Sequence, residues 1–204
     1  MKWFFDMNNP VMRTLSTLAD IVILNLLTLL CSLPVVTGGA ALAALNDACI
    51  RLVRGEDNEL ARDYFRAFKG NFKKATLAWL LFLLAAALLY IDYLAALAYV
   101  PPLRVGIFAI ALIELAIAFY FFALLARYEN TLKATFQNAV RLAIGFFPRT
   151  LIMVVFAVIF WLACFHWFNF GSLVLILVGL SLPVYLNAAL LDGVFQKIEN
   201  NTQK

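Results

Sequence analysis

Five polar side chains fall inside apolar runs of this chain. Asp20 and Asn25 lie in one run, Asn46 and Asp47 in the next, and Glu114 near the middle of a third. A charge at the centre of a bilayer costs at least about 2.5–3.5 kcal/mol on insertion scales, so residues of this kind need a reason to be there. Gathered around one interior site, Asn25, Asn46, Asp47 and Glu114 could bind a cation, relay protons or contact a sugar hydroxyl. Placed singly, they would hydrogen-bond neighbouring helices to one another. Only two of the acids are deep and no buried Lys or Arg matches them, which favours the bonding role. Asp92 and His166 lie toward the outer ends of their runs, and Asp192 at an inner end.

A second group of residues is basic and aromatic. Arg62, Arg66, Lys69 and Lys73 recur at helical spacing beside Ala61, Phe65, Phe68 and Phe72. Such a helix can lie in the headgroup layer, with phenyl rings at the acyl boundary and cations on anionic lipid. The same surface could dock a cytoplasmic partner. A second amphipathic segment sets Leu132, Phe136, Ala139 and Ala143 on one face, and Lys133, Gln137 and Arg141 on another.

Other chemistries lack their residues. A single histidine, His166, excludes a multi-histidine metal site. It has no G-x-S-x-G to accompany it as part of a hydrolase triad, and the chain carries neither a P-loop nor a G-x-G-x-x-G. We therefore expect no enzyme activity, no metal and no cofactor. The basic clusters go with lipid-edge aromatics rather than with a nucleic-acid module. Cys31, Cys49 and Cys164 lie far apart within apolar runs and read as buried small apolar residues.

The elements that must position these residues follow from composition. Hydrophobic residues make up 65% of the 204, charged residues 14%, and mean hydropathy is +0.91. Soluble domains run at roughly 45–50% apolar and about 25% charged, so lipid must cover the excess. The apolar runs are continuous rather than alternating, which selects helices over barrel strands. The expected fold is an all-α polytopic membrane bundle occupying residues 1–204 as one domain. It has an N-terminal helical hairpin at 10–54, an amphipathic segment at 59–73 and crossings at 75–99 and 103–126. A second amphipathic segment at 130–145 precedes crossings at 150–168 and 172–192. Pro101-Pro102 and Asn169 to Ser172 break the two later pairs into antiparallel hairpins.

The N-terminal stretch contributes one long crossing or two, and charge placement discriminates. Thirteen Lys and Arg share one side in either case: seven from Arg51 to Lys74, four from Arg127 to Arg149, and Lys197 and Lys204. With one N-terminal crossing, Lys2 and Arg13 join Arg104 on the far side, giving thirteen against three. With two they join the majority, giving fifteen against one. Lys and Arg collect on cytoplasmic loops, so six crossings with both termini cytoplasmic are preferred over five. Pro34 and Gly38-Gly39 then form an outer turn. Asn9-Pro10 reads as a helix start, with Asn as cap and Pro in the first turn. No signal peptide is apparent. The small residues Gly38-Gly39 and Ala40 to Ala44 let helices approach closely, within one chain or between two copies. The run Gly70 to Leu77 faintly echoes Gly145 to Leu151, each following an amphipathic segment.

A set of residues in fixed order carries a family resemblance. They are Asn9-Pro10, Met12-Arg13, Asp20, Leu24-Asn25-Leu26-Leu27, Cys31-Ser32-Leu33-Pro34, Thr37, Gly39 and Ala44-Leu45. Further on come Phe65, Phe68-Lys69, Asn71-Phe72, Trp79, Leu125 to Asn130, Asn138-Ala139, Pro148-Arg149-Thr150 and Leu182-Pro183. On these the chain resembles the YesL-like family of small bacterial integral membrane proteins, a domain of unknown function. The resemblance implies a polytopic bacterial plasma-membrane protein, with carbohydrate-importer components or sensor kinases as its partners. It implies no catalytic residues. At Asn46-Asp47 the chain departs from the family, which often carries aromatics there.

Overall fold

The computed structural model describes residues 10–56, 59–166 and 174–202. Every element among them is helical. Helix α1 (Pro10–Ser32) ends where Pro34 approaches, because a proline ring clashes with the carbonyl four residues back and brings no N–H. The chain turns through exposed Leu33 and Pro34 and a 3-10 turn, Val35–Thr37. The Thr37 hydroxyl bonds the Cys31 and Pro34 carbonyls at 2.6 and 2.8 Å and closes the turn. Helix α2 (Gly38–Arg54) then runs back. It stops at Gly55, whose positive φ of 69° is a conformation that glycine adopts without steric cost. Two distinct helices therefore fill the N-terminal stretch, with the turn at the Pro34–Gly39 signal. Asn9 lies outside the described residues.

Helix α3 (Leu60–Tyr99) is continuous over 40 residues, about 60 Å at 1.5 Å per residue. This corrects the expected boundary between an interfacial segment at 59–73 and a crossing at 75–99. One glycine inside a helix, Gly70, costs only about 1 kcal/mol. The Lys73-Lys74-Ala75 that follow are good helix formers, and no proline intervenes. After Pro101-Pro102, α4 (Leu103–Arg127) returns antiparallel. The second amphipathic segment is a separate helix, α5 (Leu132–Gly145), capped by the Thr131 hydroxyl, which accepts from the Ala134 N–H at 3.3 Å. It packs on α4. Helix α6 (Phe147–His166) follows. The expected turn at Asn169 to Ser172 lies outside the described residues. A helical segment at 174–178 then leads through a turn at Gly179-Leu180 into α7 (Ser181–Thr202).

Among the described residues, six helical stretches are long and apolar enough to cross a membrane: Thr14–Ser32, Val35–Arg54, Leu60–Tyr99, Leu103–Arg127, Phe147–Cys164 and Val174–Gly193. The chain is a polytopic helix bundle and a multi-pass membrane protein.

Helix α2 is the central strut. Twelve of its seventeen residues are buried, and it touches α1, α3, α4 and α7. Its first half is nearly all glycine and alanine, which lets backbones come close where lipid gives no hydrophobic drive between helices. A side chain added at Gly39 would collide with the Ala75 carbonyl and the Trp79 side chain. The Trp79 indole N–H in turn donates to the Val35 carbonyl at 2.8 Å. The tip of the α1–α2 hairpin thus meets the middle of α3. Beyond Trp79 the α3–α4 hairpin stands largely clear, exposing Leu81, Leu84, Leu88, Ile91, Val105 and Ile110.

Candidate intramembrane polar site

The most heavily used polar side chain is Asn25, on the buried face of α1 with Ile21, Leu24 and Thr28. Its Nδ2 donates to the carbonyls of Leu175 (3.1 Å) and Ile176 (2.7 Å). Its Oδ1 accepts from the N–H groups of Leu180 (2.8 Å) and Ser181 (3.0 Å). All four partners flank the break in the last crossing. Pro183 explains that break: its ring would strike the Gly179 carbonyl in a continuous helix, and it lacks the N–H that would bond there. Apolar surroundings cannot satisfy freed backbone groups, so a neighbouring helix must. Asn25 does so with two donor and two acceptor contacts.

Asn46 and Asp47 sit side by side on α2 but spend their bonds differently. Asn46 is buried, and its Nδ2 donates to the Leu42 carbonyl of its own helix at 2.9 Å. It lines a cavity of about 480 Å3 with Trp79, Phe119, Trp161, Leu180 and Pro183. Asp47 is half-buried and accepts from Arg51 Nε one turn on, at 2.8 Å. Asp20 is half-buried on α1. Glu114 lies on the edge of α4 that faces α3, where it lines two further cavities and where its Oε1 is buried without a hydrogen-bond partner. The cavities of Asn46 and Glu114 share Trp79, Leu115 and Ala118 as a common wall. The bonds of Asn25, Asn46 and Asp47 therefore lead to three separate places, and Glu114 faces Asn46 only across that wall.

The basic and aromatic residues spread along the first half of α3. Arg62 pairs with Glu59 at 2.7 Å, and Arg66 with Asp63 at 2.8 Å. Lys69, Lys73, Phe65 and Phe72 are exposed, while Phe68 packs partly against the core and meets Phe72 edge-on. The side chain that docks this part of α3 onto the bundle is Tyr64, fully buried, its hydroxyl 3.4 Å from the Ala41 carbonyl.

Several polar groups escaped the sequence reasoning. Arg54 Nε donates to Asp192 Oδ1 at 2.6 Å, both side chains largely buried, and ties α2 to α7. Asn187 is 3% exposed and neither of its side-chain polar atoms has a partner among the described residues; the Ser181 hydroxyl is likewise buried without one. Tyr120 and Thr150 share a buried hydrogen bond at 3.0 Å, and Thr150 reaches on to the Ala143 carbonyl at 2.9 Å. The signal for Asn187 was available: Tyr185-Leu186-Asn187-Ala188 sets an amide in an apolar run much as Leu24-Asn25-Leu26 does. Among the described residues no three His, Cys, Asp or Glu side chains gather closely enough to hold a metal ion.

Residues 21–93 match the profile of a family described as protein of unknown function, DUF624. The match covers the buried part of α1, all of α2 and most of α3, including the crossing at Gly39 and Trp79. No curated protein and no solved structure matches the chain.

Proposed function

We propose that this chain is a YesL-like, non-enzymatic accessory or regulatory protein of a bacterial plasma membrane, working beside carbohydrate uptake or its signalling. Its basic loops and both termini are then cytoplasmic, as the distribution of Lys and Arg favours. One observation carries the reading. The interior polar groups are mostly spent inside the bundle, between helices through the four bonds of Asn25 and the Arg54–Asp192 pair and within α2 through the Asp47–Arg51 pair, whereas the basic edge of α3 stays exposed. A protein whose polarity is turned to its own architecture inside and to cations outside is suited to contacts at its surface. Anionic lipid and a partner's cytoplasmic face both fit that edge. A photo-crosslinker placed at Arg62 or Gln137 in native membranes is expected to capture an importer or sensor-kinase component. Recovery of lipid and self-contacts alone would overturn the reading.

A second reading rests on the broken last crossing. Discontinuous helices commonly line transporter sites, and here the break adjoins the cavity that Asn46 lines. On that reading the chain is a self-contained secondary transporter or channel. Solute flux in vesicles holding only this protein decides for it.

A further inference from the structure

The α3–α4 hairpin carries one ionisable side chain at mid-depth. Glu114 is eleven residues past the start of α4, about 16 Å along the axis and so near the middle of a hydrocarbon core of about 30 Å. Ala85 and Ala86 on α3 line the space at that level and leave room between the helices. The room is a cavity of about 570 Å3, within the size range of small-molecule sites. Its walls carry Trp79, Phe82, Tyr90, Tyr93 and Phe108, and Glu114 is the one acid among its lining residues. The Glu114 Oε1 is buried, and no donor among the described residues reaches it. Lys133 lines the smaller cavity of about 470 Å3 on the other side of Phe82 but forms no ion pair with Glu114. Tyr90 and Phe108, at 63% and 57% exposed, leave the mouth of the larger cavity open to its surroundings.

We propose that this groove is a binding site for an organic cation with apolar substituents, reached from the bilayer. Each part of the chemistry has its residue. Glu114 supplies the counter-charge in a medium of low dielectric, where a single opposite charge acts strongly. The aromatic faces offer cation–π attraction and apolar contact to the substituents. An inorganic cation is a poor fit, since it would need several oxygen ligands and the cavity lining offers one carboxyl. The proposal is independent of the accessory reading, because partner capture and cation binding are separate measurements.

The test uses the full chain in nanodiscs of neutral phosphatidylcholine, with tetraphenylphosphonium as the probe and neutral triphenylphosphine oxide as the comparator. Saturable binding of the cation is expected above protein-free nanodiscs. Glu114→Gln should weaken it at least ten-fold, and Asp92→Asn, an exposed acid further along α3, should leave it unchanged. The neutral comparator should not distinguish Glu114→Gln from the unaltered protein. Tyr93→Ala and Phe108→Ala keep the carboxyl and should each weaken binding several-fold, which provides a test even if Glu114→Gln fails to fold. No binding above protein-free nanodiscs, equal binding by Glu114→Gln, or unaltered binding by both aromatic variants would overturn the proposal.

Discussion

Asn25 shows how much one side chain can hold in a membrane interior. In an aqueous protein the backbone groups freed by Pro183 could turn to water; in hydrocarbon they have only neighbouring helices. Asn25 meets that need from a helix about 150 positions away in sequence. Replacing it with alanine leaves the N–H groups of Leu180 and Ser181 and the Ile176 carbonyl without their Asn25 partner, while the Leu175 carbonyl keeps the Gly179 N–H at 3.0 Å. Buried unsatisfied groups cost about 1–3 kcal/mol each, although measured intramembrane hydrogen bonds average near 0.6 kcal/mol. Four bonds at that average come to about 2.4 kcal/mol and three unsatisfied groups to at least about 3 kcal/mol, so we expect Asn25→Ala to lower stability by about 3 kcal/mol. Asn187→Ala removes an amide that makes no bond to the described residues, at 3% exposure, and should shift stability by less than about 1 kcal/mol. Reversible unfolding in mixed micelles measures both. Equal losses in the two variants would mean that the Asn25 bonds do not hold the break. The position of Asn25 was readable from sequence as an amide in an apolar run. Its role was not, because its partners are backbone atoms exposed by a proline in the last crossing.

Among the elements, α3 departs furthest from expectation. Its first fifteen residues are amphipathic and its remainder apolar, and in the sequence that change in pattern reads as a change of element. Pattern reports what surrounds a helix, whereas a break needs its own cause, such as a proline or a competing cap. Pro34 and Pro101-Pro102 supply such causes and mark their turns correctly, while Gly70 does not. Pro183 supplies one too, and the break before it could have been inferred from that residue. The continuity of α3 makes a measurable claim. Spin labels at Arg66 and Tyr90, both exposed, are separated by twenty-four residues of one helix, about 36 Å along its axis. Pulsed dipolar spectroscopy should return a single narrow distribution near that distance in nanodiscs. A first segment lying flat in the headgroup layer, bent at Gly70, would give a clearly shorter distance.

At the scale of the whole molecule, the first hairpin and the last helix close on one another through α2 and α7. Arg54, the last residue of α2, meets Asp192 midway along α7, and Asn46 lines the cavity that Leu180 and Val184 line, so α2 and α7 run parallel. Connectivity alone is consistent with that direction in a six-crossing chain, but no pattern of hydropathy selects α2 and α7 as neighbours. The Arg54–Asp192 pair joins helices far apart in the sequence. With side chains 19% and 10% exposed, it is buried enough that removing Asp192 leaves the Arg54 charge uncompensated. Breaking a buried pair this way costs about 3–5 kcal/mol, whereas removing both charges is far milder. Asp192→Ala is therefore expected to lose about 3 kcal/mol, and Arg54→Ala with Asp192→Ala to recover more than half of it. Unfolding of the four members of the cycle in micelles gives the coupling energy. A coupling below about 0.5 kcal/mol would make the pair incidental, and the closure of the bundle would then rest on the alanine face of α2 packed against Val184, Ala188 and Leu191.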